Sequence, residues 1–123
     1  MKTLILGLCA AAMVLFPLRA AAQPPMHDSP KVTISVMTPT VVGTTVLKAG
    51  DYRFQCKHVN GKSFLVVSEV GTGKELVRVP CEQDVLRDKN ENSELRSFVG
   101  ADGARALQSV RMKGETVAHR LVD

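Results

Sequence analysis

Apolar and polar residues alternate along much of the chain after residue 30, which predicts strands rather than helices. Residues 31–37 place Val32, Ile34 and Val36 on one face, and residues 52–58 repeat the alternation. A period of two residues is typical of a strand with one buried face. Both segments are therefore expected to form strands that cover a core.

The dipeptide Asn60-Gly61 separates two such segments and predicts a two-residue hairpin turn, because a type I′ turn needs positive φ at both positions. The register that follows joins three pairs: Val59 with Lys62, Cys56 with Leu65, and Phe54 with Val67. A further turn at residues 71–73 starts a third strand at 75–79, which sets Val77 and Val79 beside the second. The three strands then share one apolar face.

The remaining pattern also favours short strands joined by turns. A strand is expected at 44–48, a long loop at 82–93, and three more strands at 94–99, 105–112 and 116–122. The chain is thus predicted to be all-β, forming a single small antiparallel sandwich or barrel of about seven short strands.

The N-terminal segment indicates where the folded domain begins and in which compartment the protein resides. Lys2 precedes an apolar run from Leu4 to Leu18, and Ala20 and Ala22 match the small-x-small pattern of signal peptidase sites. Residues 1–22 are predicted to be a cleaved signal peptide, 23–30 a flexible segment and 31–123 the β-rich domain. The protein is expected to be secreted or periplasmic, with no transmembrane segment after cleavage, since a span needs about 20 apolar residues.

Cleavage also reduces the net charge, because 14 Lys and Arg would then face 12 Asp and Glu. This small, dispersed excess argues against nucleic acid as a partner. Arg53, Lys57 and Arg78 share strand parity, so they predict a basic outer face. Its partner would be an unknown protein, a glycan or an anionic surface. The alternative is that these charges only protect exposed strands from association.

Cys56 and Cys81 remain after cleavage, and an even pair in an exported chain predicts a disulfide. In a flat sheet they would stand about 10 Å apart, two strand spacings, whereas a disulfide needs Cα atoms within about 7 Å. We expect Pro80 to end the third strand so that Cys81 folds back over the face. Strong coiling of the sheet, or unbonded cysteines, are the alternatives.

The same cysteines offer an alternative metal site. Cys56 and His58 project from one face of a strand, with Cys81 as a third ligand and His119 as a fourth. Thiolate and imidazole are the ligands that zinc and copper prefer. The spacing is not that of a known motif, so the main prediction includes neither a metal nor another cofactor.

No hydrolase, metalloprotease, calcium or phosphate-loop motif occurs in the chain. A catalytic pair could form between distant residues, for example His119 with Asp102. We nevertheless predict that the protein is not an enzyme but a binding or structural module. Metal binding through Cys56, His58 and Cys81 is the first alternative, and an enzyme without a recognisable motif is the second.

The segment Leu47-Lys48-Ala49-Gly50-Asp51-Tyr52-Arg53-Phe54 resembles a loose group of small exported bacterial proteins with an L-x-A-G-x-Y-x-F turn-and-strand signature. The resemblance implies an exported, β-rich protein. The group has no established activity, so the resemblance implies no substrate and no catalytic residue.

Overall fold

The computed structural model describes residues 28–122. The predicted signal peptide at 1–22 and the first part of the predicted flexible segment, residues 23–27, lie outside this range. Within it the chain is all-β and contains no helix. Among these residues, no helix is long and apolar enough to cross a membrane.

The described chain forms nine strands. They are β1 (Val32–Val36), β2 (Thr40–Val42), β3 (Thr45–Leu47), β4 (Gly50–Val59), β5 (Lys62–Glu69), β6 (Glu75–Val85), β7 (Glu94–Val99), β8 (Arg105–Arg111) and β9 (Val117–Leu121). The all-β prediction is confirmed, with nine strands instead of about seven. One strand that the sequence pattern did not indicate is β2, because Thr40 lies directly after a proline and the strand has only three residues.

All nine strands join in one sheet, in the order β1-β4-β5-β6-β9-β8-β2-β3, with β7 on the other edge of β8. Every pairing is antiparallel except the short contact between β2 and β8 at Val41 and Ala106. Inward-facing residues from β1 to β6 and from β8 pack into one apolar core, centred on Phe54, Leu65 and Val67. The sheet is therefore folded over itself to enclose that core.

The β4–β5 hairpin has the register that the sequence predicts. Asn60 and Gly61 both have positive φ, at 51° and 76°. The partners along the ladder include Val59 with Lys62, Cys56 with Leu65, and Phe54 with Val67. On the next strand Val77 and Val79 pair with Val67 and Leu65, as expected. Local turn chemistry and alternation together determined this meander.

Strand β6 differs from the expectation, because it does not end at Pro80. It pairs with β5 as far as Pro80 and with β9 from Cys81 onward. One strand of 11 residues therefore pairs with two different strands along its length. Proline lacks an N–H and cannot extend a ladder on both sides, which is compatible with a change of partner at this point. The loop expected at 82–93 accordingly shortens to 86–93.

The segment just before β1 is attached to β4. The Ser29 backbone N–H donates to the Cys56 carbonyl at 2.9 Å, and the Cys56 N–H donates to Ser29 Oγ at 2.8 Å. Asp28 Oδ1 accepts the His58 backbone N–H at 2.9 Å. The end of the segment predicted to be flexible, residues 28–30, is therefore bonded to the domain, because its polar groups satisfy a free edge of the β4 backbone.

Candidate metal centre

Two cysteines reach the same part of the interior from different strands. Cys56 faces inward from β4, and Cys81 faces inward from β6, at the residue where β6 leaves β5 for β9. Both side chains are buried and neither is in a disulfide. The two sulfurs lie within 4.8 Å of each other, much closer than the two-strand separation that a flat sheet would leave between them.

His119 meets them from β9. It pairs with Gln83 of β6 and with Val110 of β8, and these register positions direct its ring to the inner face. The ring is completely buried, with 0% of its surface exposed. A fully buried histidine among apolar residues is unusual unless both ring nitrogens have partners.

The Cys56 and Cys81 sulfurs and a ring nitrogen of His119 all lie within 4.8 Å of one another. We call these three residues the Cys–Cys–His cluster. Donor atoms around a tetrahedral zinc ion lie roughly 3.5–3.8 Å apart, given bonds of about 2.3 Å to sulfur and 2.0–2.1 Å to nitrogen. A contraction of at most about 1.3 Å would therefore bring all three donors onto one ion.

The two nitrogens of His119 have different surroundings. Nε2 contacts Glu115 Oε1 at 2.9 Å, whereas Nδ1 is buried with no hydrogen-bond partner among the described residues. With the proton on Nε2 donated to the carboxylate, the Nδ1 lone pair is free. A carboxylate on the far nitrogen is the usual outer partner of a metal-binding histidine, because it fixes the tautomer and raises the basicity of the ring.

Glu115 is held in place by the loop at 86–93. The Asn90 backbone N–H donates to the Glu115 carbonyl at 2.9 Å, and the Asn90 side-chain amide donates to the Met112 and Val117 carbonyls. Asn90 is buried, so these bonds are shielded from water. The turn between β8 and β9 is thereby fixed with the carboxylate against His119. Neither Asn90 nor Glu115 forms a recognisable motif with the cysteines, which is why the sequence pattern missed both.

The cluster favours a thiolate at Cys56. The adjacent Cys81 thiol, able to share its proton, lowers the pKa of Cys56 to about 4, with further help from His119, although burial acts in the opposite direction. The pKa of Cys81 is raised, because its thiol proton is held in the hydrogen bond that it donates to the Cys56 thiolate, and because burial disfavours a second charge. Burial lowers the pKa of His119, but the neighbouring Cys56 and Glu115 outweigh it and raise the pKa.

His58 lies beside the cluster and not inside it. Its Nε2 is 4.0 Å from Cys56 Sγ, and its Nδ1 is 2.9 Å from Ser63 Oγ on β5. The ring is half-buried and lines an open groove of about 1210 Å³, together with Cys81 and Glu115. The sequence grouped His58 with the cysteines and His119 as a fourth ligand, whereas the structure makes His119 the third member of the cluster.

Other sequence predictions have mixed outcomes. Asp102 accepts the backbone N–H of Ala104 at 3.0 Å, whereas His119 contacts Glu115, so the catalytic pair suggested for His119 and Asp102 is not formed. A Cys56–Cys81 disulfide stays a prediction, since the two free sulfurs are close but unbonded.

The basic residues predicted for one outer face, Arg53, Lys57 and Arg78, do share a face of the β4–β6 meander, as the strand register shows. Arg78, however, is already engaged by Glu75 at 2.8 Å. Its guanidinium also lies over the Phe64 ring, 5.9 Å from the centroid. An acidic or anionic partner for this face remains a prediction.

No family model, curated protein or solved structure matches the chain. The resemblance to proteins with the L-x-A-G-x-Y-x-F signature therefore stays a prediction. Two sulfurs and one imidazole nitrogen, all buried and converging, can bind a thiophilic metal ion, and the two sulfurs alone can form a disulfide.

Proposed function

We propose that the protein is a binding module for one thiophilic metal ion, Cu(I) or Zn(II), held by Cys56, Cys81 and His119. The observation that carries the proposal is the convergence of the three donor atoms within 4.8 Å. Thiolate and imidazole donors select copper and zinc over calcium, magnesium and manganese, which prefer oxygen. The proposal takes up the first alternative from the sequence, metal binding, with His119 in place of His58 as the third ligand.

The state of the individual donors supports the proposal. The buried Nδ1 of His119 has no hydrogen-bond partner within residues 28–122, and an unpaired buried polar atom costs about 1–3 kcal/mol unless something binds it. Cys56 favours the thiolate, the form that binds metal. A metal ion would satisfy the nitrogen and neutralise the thiolate together.

The test is metal loading of the reduced, purified protein with Zn(II) or Cu(I), followed by native mass spectrometry and thiol alkylation. We expect one metal ion per chain and protection of both cysteines from alkylation. X-ray absorption at the metal edge should report two sulfur neighbours and at least one nitrogen neighbour. Zn(II) and Cu(I) loaded in competition decide which ion the protein prefers.

Three variants define the ligands. Cys56→Ser, Cys81→Ser and His119→Asn should each weaken binding by more than the roughly 10–100-fold that removal of a ligand's outer partner causes. Lys57→Ala is the matched control, because Lys57 is adjacent to Cys56 and points to the opposite face. Circular dichroism of each metal-free variant confirms that it is folded.

Two results would overturn the proposal. A reduced wild-type protein that retains neither ion has no metal site. A protein isolated two hydrogens lighter, which regains them on reduction and still binds no metal, carries the Cys56–Cys81 disulfide instead.

A further inference from the structure

The Cys–Cys–His cluster is buried but not sealed. Cys81 is only 5% exposed, yet it lines the open groove of about 1210 Å³. His58 and Glu115 line the same groove. A metal ion in solvent can therefore approach the cluster through this groove, past His58 and Cys81.

His58 is oriented for a contact with the incoming ion. It follows Cys56 by two residues on β4, so both side chains project from the same face. Its Nδ1 contacts Ser63 Oγ at 2.9 Å, and Ser63 is its cross-strand partner on β5. In the tautomer with the proton on Nδ1, that proton is donated to Ser63. The lone pair of Nε2, 4.0 Å from Cys56 Sγ, is then free.

The two histidines therefore have different accessibility at the same sulfur. His119 is wholly buried and backed by a carboxylate, whereas His58 is half-buried and backed by a neutral hydroxyl. A ligand that is both accessible and more weakly supported can bind an ion briefly and release it. A ligand that is inaccessible and strongly supported retains it.

From this arrangement we propose that His58 is the transfer ligand of the site, carrying a metal ion between the groove and the buried cluster. This inference rests on the proposed metal binding. In the transfer step a bond from the ion to His58 Nε2 forms as a bond to water or to an incoming chelator breaks. Bonds to Cys81, Cys56 and His119 then replace the bond to His58. Any thiol proton passes to solvent, and no electron is transferred.

The inference predicts a kinetic effect that is separate from affinity. His58→Ala should bind one metal ion with an affinity close to that of the wild type. Its uptake of Zn(II), and its loss of Zn(II) to excess EDTA, should both be about tenfold slower, which corresponds to about 1.4 kcal/mol in activation free energy. Ser63→Ala should have a smaller effect in the same direction, since it only releases the His58 ring. Stopped-flow measurements on the full protein give both rates.

Lys57→Ala serves again as the control on the opposite face of β4 and should exchange metal at the wild-type rate. The same measurement with Cu(I) and bathocuproine disulfonate extends the test to the second ion. Unchanged rates in His58→Ala would overturn the inference. Faster rates would also overturn it, because they would show that His58 blocks access to the cluster. A fall in affinity equal to that of His119→Asn would make it a permanent ligand. A wild type that binds no metal overturns the proposed function itself, which is a different result.

Discussion

Strands β6 and β9 carry polar networks on both faces, and the two networks differ in burial. On the inner face the buried Cys81 and His119 place donor atoms within 4.8 Å of one another, and His119 contacts Glu115 at 2.9 Å. On the outer face Arg120, adjacent to His119 in sequence, contacts Glu82 at 2.8 Å and Asp84 at 3.0 Å. The outer network has more formal charge, but its side chains are exposed, whereas His119 and Cys81 on the inner face are buried.

The difference shows that the contribution of a polar contact to stability depends on whether the contact is exposed or buried. Exposed ion pairs exchange one set of water contacts for another and are screened by salt, so they contribute little. Buried polar groups have no water to return to, and each missing partner costs free energy. Substitutions on the inner face should therefore have large effects, and those on the outer face small ones.

The largest expected effect is on the acidity of Cys56. In metal-free, reduced protein, thiolate absorbance in the ultraviolet should show one thiolate per chain at neutral pH. It should disappear only near the lowered pKa of about 4, far below the usual value of about 8.5. Cys81→Ala should return the pKa of Cys56 toward its usual value, because it removes the side-chain donor that is the main cause of the shift.

The lowered pKa of Cys56 also makes the stability of the protein depend on pH. A lowered pKa means that the unfolded chain binds the extra proton, so the Cys56 contribution to the free energy of unfolding grows as pH rises from about 4 to about 8.5. Cys81, with a raised pKa, acts in the opposite sense above its usual pKa. A thiolate signal that vanishes at neutral pH would contradict the account of the inner network.

An intermediate effect on stability is expected from Ser29, whose hydroxyl accepts the Cys56 backbone N–H. Ser29→Ala removes the acceptor of the buried Cys56 N–H, which should lower the free energy of unfolding by roughly 1–3 kcal/mol. Ser63→Ala, at the half-buried groove side, is the matched control and should cost about 1 kcal/mol or less. Urea denaturation measures both, and amide exchange at Cys56 reports the lost bond directly. Equal losses of stability in the two variants would show that burial does not distinguish the Ser29 and Ser63 hydrogen bonds.

The smallest effect is expected on the outer face. Arg120→Ala breaks both contacts to Glu82 and Asp84, but all three side chains are substantially exposed. The midpoint of urea denaturation should hardly move, and the remaining difference should vanish as salt concentration is raised. A loss comparable to that of Ser29→Ala, persistent in high salt, would show that this exposed ion network stabilises the fold and would weaken the comparison.

The sequence by itself determined the features that depend on neighbouring residues. Alternation identified most of the strands, and Asn60-Gly61 determined the β4–β5 register, because turn geometry fixes which residues face one another. The same register placed Cys56 and His58 on one face. These inferences need only a period of two and a tight turn, both of which are local.

Only the tertiary structure decided which residues meet at the site. Cys81 reaches Cys56 because β6 changes partner after Pro80, and His119 joins them because β9 then pairs with that same strand. Glu115 faces His119 because a distant loop residue, Asn90, fixes the turn before β9. Such contacts join segments far apart in the chain, and no local pattern specifies them. They result from how a nine-stranded sheet folds over one core, which depends on the packing of the entire chain.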